Sequence, residues 1–351
     1  MPERALQLQR ENRQAMALVW VVPALWAFNY IVARKAPGVI GPYTLAIGRW
    51  ALAALCLLAV AGPELWRERA HLRRVWWQYA VLGALGMLVC GAWVYVGARS
   101  TTALNIALIY ATAPVLIALG AVLWLGERFS ARQTTGVALA MTGVLHVVLK
   151  GQWTALGSVE FSHGDGWIVA ATFAWAAYAI LLKKWTSPLG GLARLAAICS
   201  GGVVVLVPFA VWEMTQHGAL PLGTQAWTLI VVAALVPGVG AYWCYGWAQK
   251  ILGASRIAVA LYLAPLYAGV AAWLLLGERP GLHHAMGALL ILPGVYLVSR
   301  QPATLDAGDL PLPPDSAVQR QPVPVLAAAP AQRVSHPLVA PAARSAEKTC
   351  P

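Results

Sequence analysis

Apolar runs recur along the chain from Ala15 to Val298, broken only by short polar stretches. Crossing a bilayer takes about 20 mostly apolar residues in a helix. The runs that meet or approach this length are Ala15–Val32, Tyr43–Ala61, Trp76–Gly97, Thr101–Trp124, Gln133–Leu149, Gly166–Leu182, Leu195–Trp212, Trp227–Ala248, Ile257–Leu276 and His283–Val298. They predict an all-α membrane protein with ten transmembrane helices, neighbours in sequence running antiparallel. Arg49 interrupts the second run and His146 the fifth, and the fifth and tenth are short. After Arg300 the pattern stops. Residues 301–351 are rich in Pro, Ala and Val with scattered charge and no period, which predicts a disordered tail.

The pattern is also written twice. Thr101–Lys150 and Gly253–Arg300 align without a gap. Pro114 falls on Pro265, Gly126-Glu127-Arg128 on Gly277-Glu278-Arg279, Gly136 on Gly287 and Gly143 on Gly294. Earlier landmarks echo as well: Trp26 with Arg34-Lys35 parallels Trp175 with Lys183-Lys184, and Trp93-Val94-Tyr95 parallels Trp243-Cys244-Tyr245. Each copy holds five runs, an odd number, so the second copy enters the membrane from the opposite side. Inverted repeats of this kind give two related conformations by exchanging the roles of the halves.

Composition agrees with lipid as the solvent. The chain is 60% hydrophobic and 11% charged, against about 25% charged in soluble domains. Its net charge of +12 comes from short basic clusters between apolar runs, which argues against nucleic acid as a partner. One set of alternate loops carries Arg67, Arg69, Arg73, Arg74, Arg128, Arg132, Lys183, Lys184, Arg194, Lys250 and Arg256. The other carries Arg34, Lys35, Arg99, Lys150 and Arg279. The richer set belongs inside, which predicts both termini in the cytoplasm and a multi-pass protein of the inner (plasma) membrane. The expected organisation is a cytoplasmic N-terminal segment 1–14, a first repeat 15–150, a periplasmic linker 151–165, a second repeat 166–300 and a cytoplasmic tail 301–351. Cys56, Cys90, Cys199 and Cys244 lie in apolar runs without metal-ligand spacing and read as packing residues. No cleavable signal peptide is evident.

An apolar span with a proline inside it, then Leu-Gly-Glu-Arg, then a glycine-punctuated apolar helix resembles the EamA-type repeat of the drug/metabolite transporter superfamily. Both copies carry it, from Pro114 to Gly143 and from Pro265 to Gly294. Gly48-Arg49-Trp50 resembles the family's Arg-Phe pair, with Trp in the second place, and Asp165-Gly166 followed by Trp175-Ala176-Ala177-Tyr178 resembles the opening of a second repeat. The resemblance covers residues 15–300. It implies two inverted five-helix EamA-type repeats around a central cavity and export of small metabolites or amino acids. It does not name the cargo.

No acidic residue lies in the middle of a run. Carboxylate-based proton antiport and organic-cation cargo are therefore disfavoured, and a neutral, zwitterionic or anionic cargo fits better. Trp26, Asn29 and Tyr30 share one helix face, and Trp175 and Tyr178 repeat that spacing. With Arg49, Trp93, Asn105 and Trp243 they form the candidate cavity lining. The competing reading is helix–helix packing. Arg49 lies about 9 Å from its helix end at ~1.5 Å per residue. A cation at that depth either meets a carboxylate on the cargo or snorkels and bonds to backbone. Pro114 and Pro265 are expected to kink their helices, as hinges or as tolerated bends. The two Gly-Glu-Arg triplets read as helix caps or as matching gates. No catalytic constellation, metal-ligand set or cofactor motif is present, so no enzyme is expected. A channel and a duplicated scaffold that only packs remain the alternatives to a carrier. The partners expected are a small-molecule substrate and membrane lipid. A monomer suffices for a duplicated chain, and a homodimer is compatible with it.

Overall fold

The computed structural model describes residues 2–101, 103–160, 162–217, 222–276 and 281–299, and every regular element among them is helical. α1 runs Pro2–Lys35. α2 runs Pro42–Arg67 and opens on a proline, where a missing N–H costs no intrahelical bond. α3 (Arg69–Gly83) passes through a π-helical stretch, Ala84–Trp93, into α4 (Val94–Gly97). α5 (Ala103–Tyr110) and α6 (Ala113–Leu125) are separated by a turn. α7 (Ala131–Val148) starts from a capping box in which Ser130 and Gln133 bond each other's backbone N–H. A short 3-10 turn, Trp153–Ser158, leads to α8 (His163–Lys184). α9 (Gly191–His217) follows, then α10 (Thr224–Ala233), a second π-helical stretch (Ala234–Ala241) and α11 (Tyr242–Leu252). α12 (Ala254–Ala258) continues through a 3-10 turn (Val259–Leu263) into α13 (Ala264–Leu276), and α14 spans Leu282–Ser299.

Among the described residues eight helical stretches are long and apolar enough to cross a membrane. The predicted run Gln133–Leu149 falls on α7, where Arg132, Gln133, Thr134, Thr135, Thr142 and His146 dilute the apolar character. The run Ile257–Leu276 falls on α12 through α13, which includes the shorter apolar stretch Ala254–Tyr267. The tail 301–351 lies outside the described residues. Large apolar side chains such as Leu55, Val60, Trp66, Leu123, Trp124 and Val204 point outward and are exposed. In water such a surface would be sticky; in lipid it is the solvated face.

Two helix pairs hold the bundle. α7 and α14 cross antiparallel through glycines. A Cβ on Gly136 would meet the Gly294 carbonyl at 2.7 Å, and one on Gly143 would meet the Gly287 carbonyl at 2.9 Å. Only glycine lets the backbones come that close. α2 and α9 also run antiparallel, and each ends in a glutamate that caps the other. Glu213 accepts from the Tyr43 N–H (3.3 Å), the Thr44 N–H (2.7 Å) and the Thr44 hydroxyl (2.8 Å). Glu64 accepts from the Gly190 N–H at 2.5 Å, just ahead of α9. The glycines at these starts supply no cap of their own, so a carboxylate from the partner helix satisfies the free N–H groups.

Candidate functional site

The predicted cavity residues that the fold unites come from α1, α2 and α8. Trp26 of α1 meets Trp175 of α8 edge to face with ring centroids 5.3 Å apart. Trp175 stacks on Tyr178 at 5.3 Å. Two tyrosines of α11 complete the cluster. Tyr242 lies 5.7 Å from Trp175 and 5.8 Å from Tyr178, and Tyr245 lies 5.2 Å from Trp175 and 5.5 Å from Trp26. Trp50 of α2 joins through Tyr242 at 5.0 Å. Edge-to-face contacts at such distances are favourable, and six rings in sequence make a rigid aromatic block.

Beside the block sits a polar group. Asn29, one turn beyond Trp26, accepts at Oδ1 from Arg49 Nη1 (3.0 Å) and from the Tyr95 hydroxyl (2.8 Å). The Arg49 guanidinium carbon stands 4.4 Å from the centroid of the Trp50 ring, a cation–π contact. Arg49 is 4% exposed and Trp50 is fully buried. Several polar atoms here have no hydrogen-bond partner among the described residues: Arg49 Nε, Trp50 Nε1, Trp175 Nε1 and the Tyr245 hydroxyl. Leaving a buried donor unpaired costs about 1–3 kcal/mol each, so a concentration of them at one place needs a reason.

The two π-helical stretches border this site. The Tyr242 hydroxyl donates to the Gly86 carbonyl in the first stretch at 3.0 Å. A Cβ on Gly86 would press on the Tyr178 ring at 3.1 Å. Wide turns of this kind gather at functional places in helices.

Other predicted residues are placed elsewhere. Trp93 packs on Trp167 with centroids 5.0 Å apart. Trp243 is 38% exposed. Asn105 donates to the Glu160 carbonyl (2.9 Å) and to Asp165 Oδ2 (2.9 Å). Asp165 also takes the Ser162 N–H at 2.6 Å and the Thr101 hydroxyl, so Asn105 ties the start of α8 to α5. Side-chain detail of Tyr30 lies outside the described residues, as do Gly277, Glu278 and Arg279. Pro114 and Pro265 are each the second residue of a helix, α6 and α13, that follows a break in the α-helical ladder. Gly126 ends α6 in the left-handed conformation. Glu127 accepts from the Ala254 N–H (2.8 Å), the Ser255 N–H (3.2 Å) and the Ser255 hydroxyl (2.7 Å), capping α12, and Arg128 is exposed. Gly253, at φ 91°, takes a backbone form that a side chain would strain and leaves room for that carboxylate. Trp50, Tyr95, Tyr242 and Tyr245 join this group and are not among the candidate lining residues of the sequence. The spacing of Tyr242 and Tyr245 equals that of Trp175 and Tyr178 and was the available signal.

Residues 14–149 and 162–300 each match the EamA-like transporter family. The chain belongs to the EamA-like transporter family. An uncharacterized transporter of Archaeoglobus fulgidus is 25% identical over 82% of this chain and 98% of its own. A probable terminal-alkyne amino-acid exporter of Streptantibioticus cattleyicolor is 28% identical over 83% of this chain and 94% of its own. A probable amino-acid metabolite efflux pump of Escherichia coli is 25% identical over 82% and 95%. A solved crystal structure shares the fold, with a TM-score of 0.65 at 17% identity over 81% of this chain and 95% of that one. EamA membership makes the protein a multi-pass membrane transporter of small molecules, and relatives carry the names of exporters. The aromatic block and its polar neighbour are what this EamA chain places at the meeting of α1, α2, α8 and α11.

Proposed function

We propose that this chain is an inner-membrane carrier that exports a small neutral, zwitterionic or anionic metabolite, such as an amino acid, by alternating access. In this reading ten helices form two inverted five-helix halves, residues 15–150 and 166–300. Both termini and the tail 301–351 face the cytoplasm, and 151–165 is the periplasmic linker. The observation that carries it is the contact of Trp26 with Trp175 at 5.3 Å. These residues hold matching places in the duplicated pattern, and they meet between the halves beside a buried cation. The reciprocal caps of Glu64 and Glu213 and the glycine crossing of α7 with α14 support a twofold relation, because each contact recurs with partners exchanged. Glu127 and Glu278 then stand at opposite faces as matching gates, and Pro114 and Pro265 as hinges. Export follows the names of the relatives.

Reconstitution into liposomes tests the reading. Uptake of labelled amino acids should saturate and show counterflow when cold solute is preloaded. Linear flux without counterflow would mark a channel. Trp26→Ala, Asn29→Ala and Trp175→Ala should each cut transport about tenfold while inserting normally, as expected for contacts used in cargo binding. Undiminished transport in all three would remove the central site.

A further inference from the structure

We propose that Arg49 and Trp50 form a carboxylate subsite, so that the cargo carries an acid group and Arg49 selects for it. This rests on the carrier reading above and deepens it. Arg49 is more than nine-tenths buried, and among the described residues no carboxylate pairs with it. Its guanidinium donates to Asn29 Oδ1 at 3.0 Å, a neutral acceptor that orients it without neutralising it. The Tyr95 hydroxyl bonds the same Asn29 oxygen and fixes the acceptor in turn. A buried cation without a counter-charge is a costly arrangement. Two donors on successive residues, Arg49 Nε and Trp50 Nε1, are buried without a hydrogen-bond partner among the described residues.

Each donor lies against the backbone of a glycine. A Cβ on Gly91 would lie 3.3 Å from Trp50 Nε1, and one on Gly238 would lie 3.7 Å from Arg49 Nε. These glycines belong to the two π-helical stretches. Packing alone does not require the charge. The interval from Glu64 to Glu213, which do the same job at the ends of α2 and α9, makes Ile198 the counterpart of Arg49 and Cys199 that of Trp50. Ile198 and Cys199 are both buried, so an apolar pair serves at the matching place on α9.

The chemistry selects among ligands. A carboxylate offers only acceptor oxygens, which match an arginine N–H and an indole N–H together. A carboxamide would turn an NH2 toward one of the donors, and an amine would meet the guanidinium as a like charge.

The test uses the full chain in lipid nanodiscs. L-amino acids and short monocarboxylates are each paired with their carboxamides, and melting temperature and Kd are measured. At least one acid should raise the melting temperature while its amide does not. Arg49→Gln should weaken that acid about tenfold or more, Arg49→Lys should weaken it less because a charge without the fork remains, and Trp50→Phe should weaken it by a smaller factor. Ligand-free Arg49→Gln should melt no lower than the parent, since an unpaired buried charge is removed; a purely structural arginine would lower it. Should Arg49→Gln fail to fold, the structural role is favoured and the subsite falls, unless Arg49→Lys and Trp50→Phe both show the acid-specific loss. Equal shifts by acid and amide, Arg49→Gln binding within about twofold of the parent, or no acid binding at all would each overturn the subsite. Saturable flux of neutral solutes without acid recognition keeps the carrier and removes the subsite. Acid binding without flux keeps the subsite and removes the carrier.

Discussion

Glu213 shows how one carboxylate holds two helices. It is 8% exposed and serves the first N–H groups of α2 from the end of α9. Glu213→Gln keeps the size but replaces one acceptor oxygen with a donor facing donors. The protein should lose about 1–3 kcal/mol, seen as a lower melting temperature in detergent. Tyr242→Phe is a milder case. It removes the hydroxyl bond to Gly86 while keeping the ring contacts, so a loss of about 1 kcal/mol is expected. The grouping of Trp26, Trp175 and Tyr178 was legible from three-residue spacing on two helices. Trp93 and Trp243 were not placeable that way. Each stands at or just past the end of a π-helical stretch, and the wider turn there rotates the residues beyond it out of the usual helical phase.

At the level of elements, the α7–α14 crossing rests on the absence of side chains. Gly143→Val would drive atoms toward Ile291 Cγ1, which already lies 2.7 Å from the Cβ position, and toward the Gly287 carbonyl. Overpacking of this kind costs about 1–3 kcal/mol, and backbone contact on one side puts the expectation at the upper end. Gly62, inside α2, has nothing within 4 Å of its Cβ position. Gly62→Ala should therefore raise stability by about 0.5–1 kcal/mol through helix propensity alone. Thermal melts of the two variants check the contrast. The glycine pattern was visible in the sequence as a repeat. That Gly136 would meet Gly294, and Gly143 meet Gly287, follows from the antiparallel crossing.

For the whole molecule, the topology carries a sharp expectation. Reporter tags beside Arg128 and beside Arg279 should fall in opposite compartments, the first inside. Tags reporting one shared compartment would end the inverted-repeat reading. The length of the apolar runs determined the helical class, and the doubled landmarks pointed to the family, because chain-local hydrophobicity and spacing decide what lipid will accept. Which buried polar groups meet was decided by tertiary structure. Asn29, Arg49 and Tyr95 lie on three separate helical segments, and the rings around Trp175 come from four. Contacts across such distances in sequence depend on how each helix is rotated and broken, and only the packed bundle sets those angles.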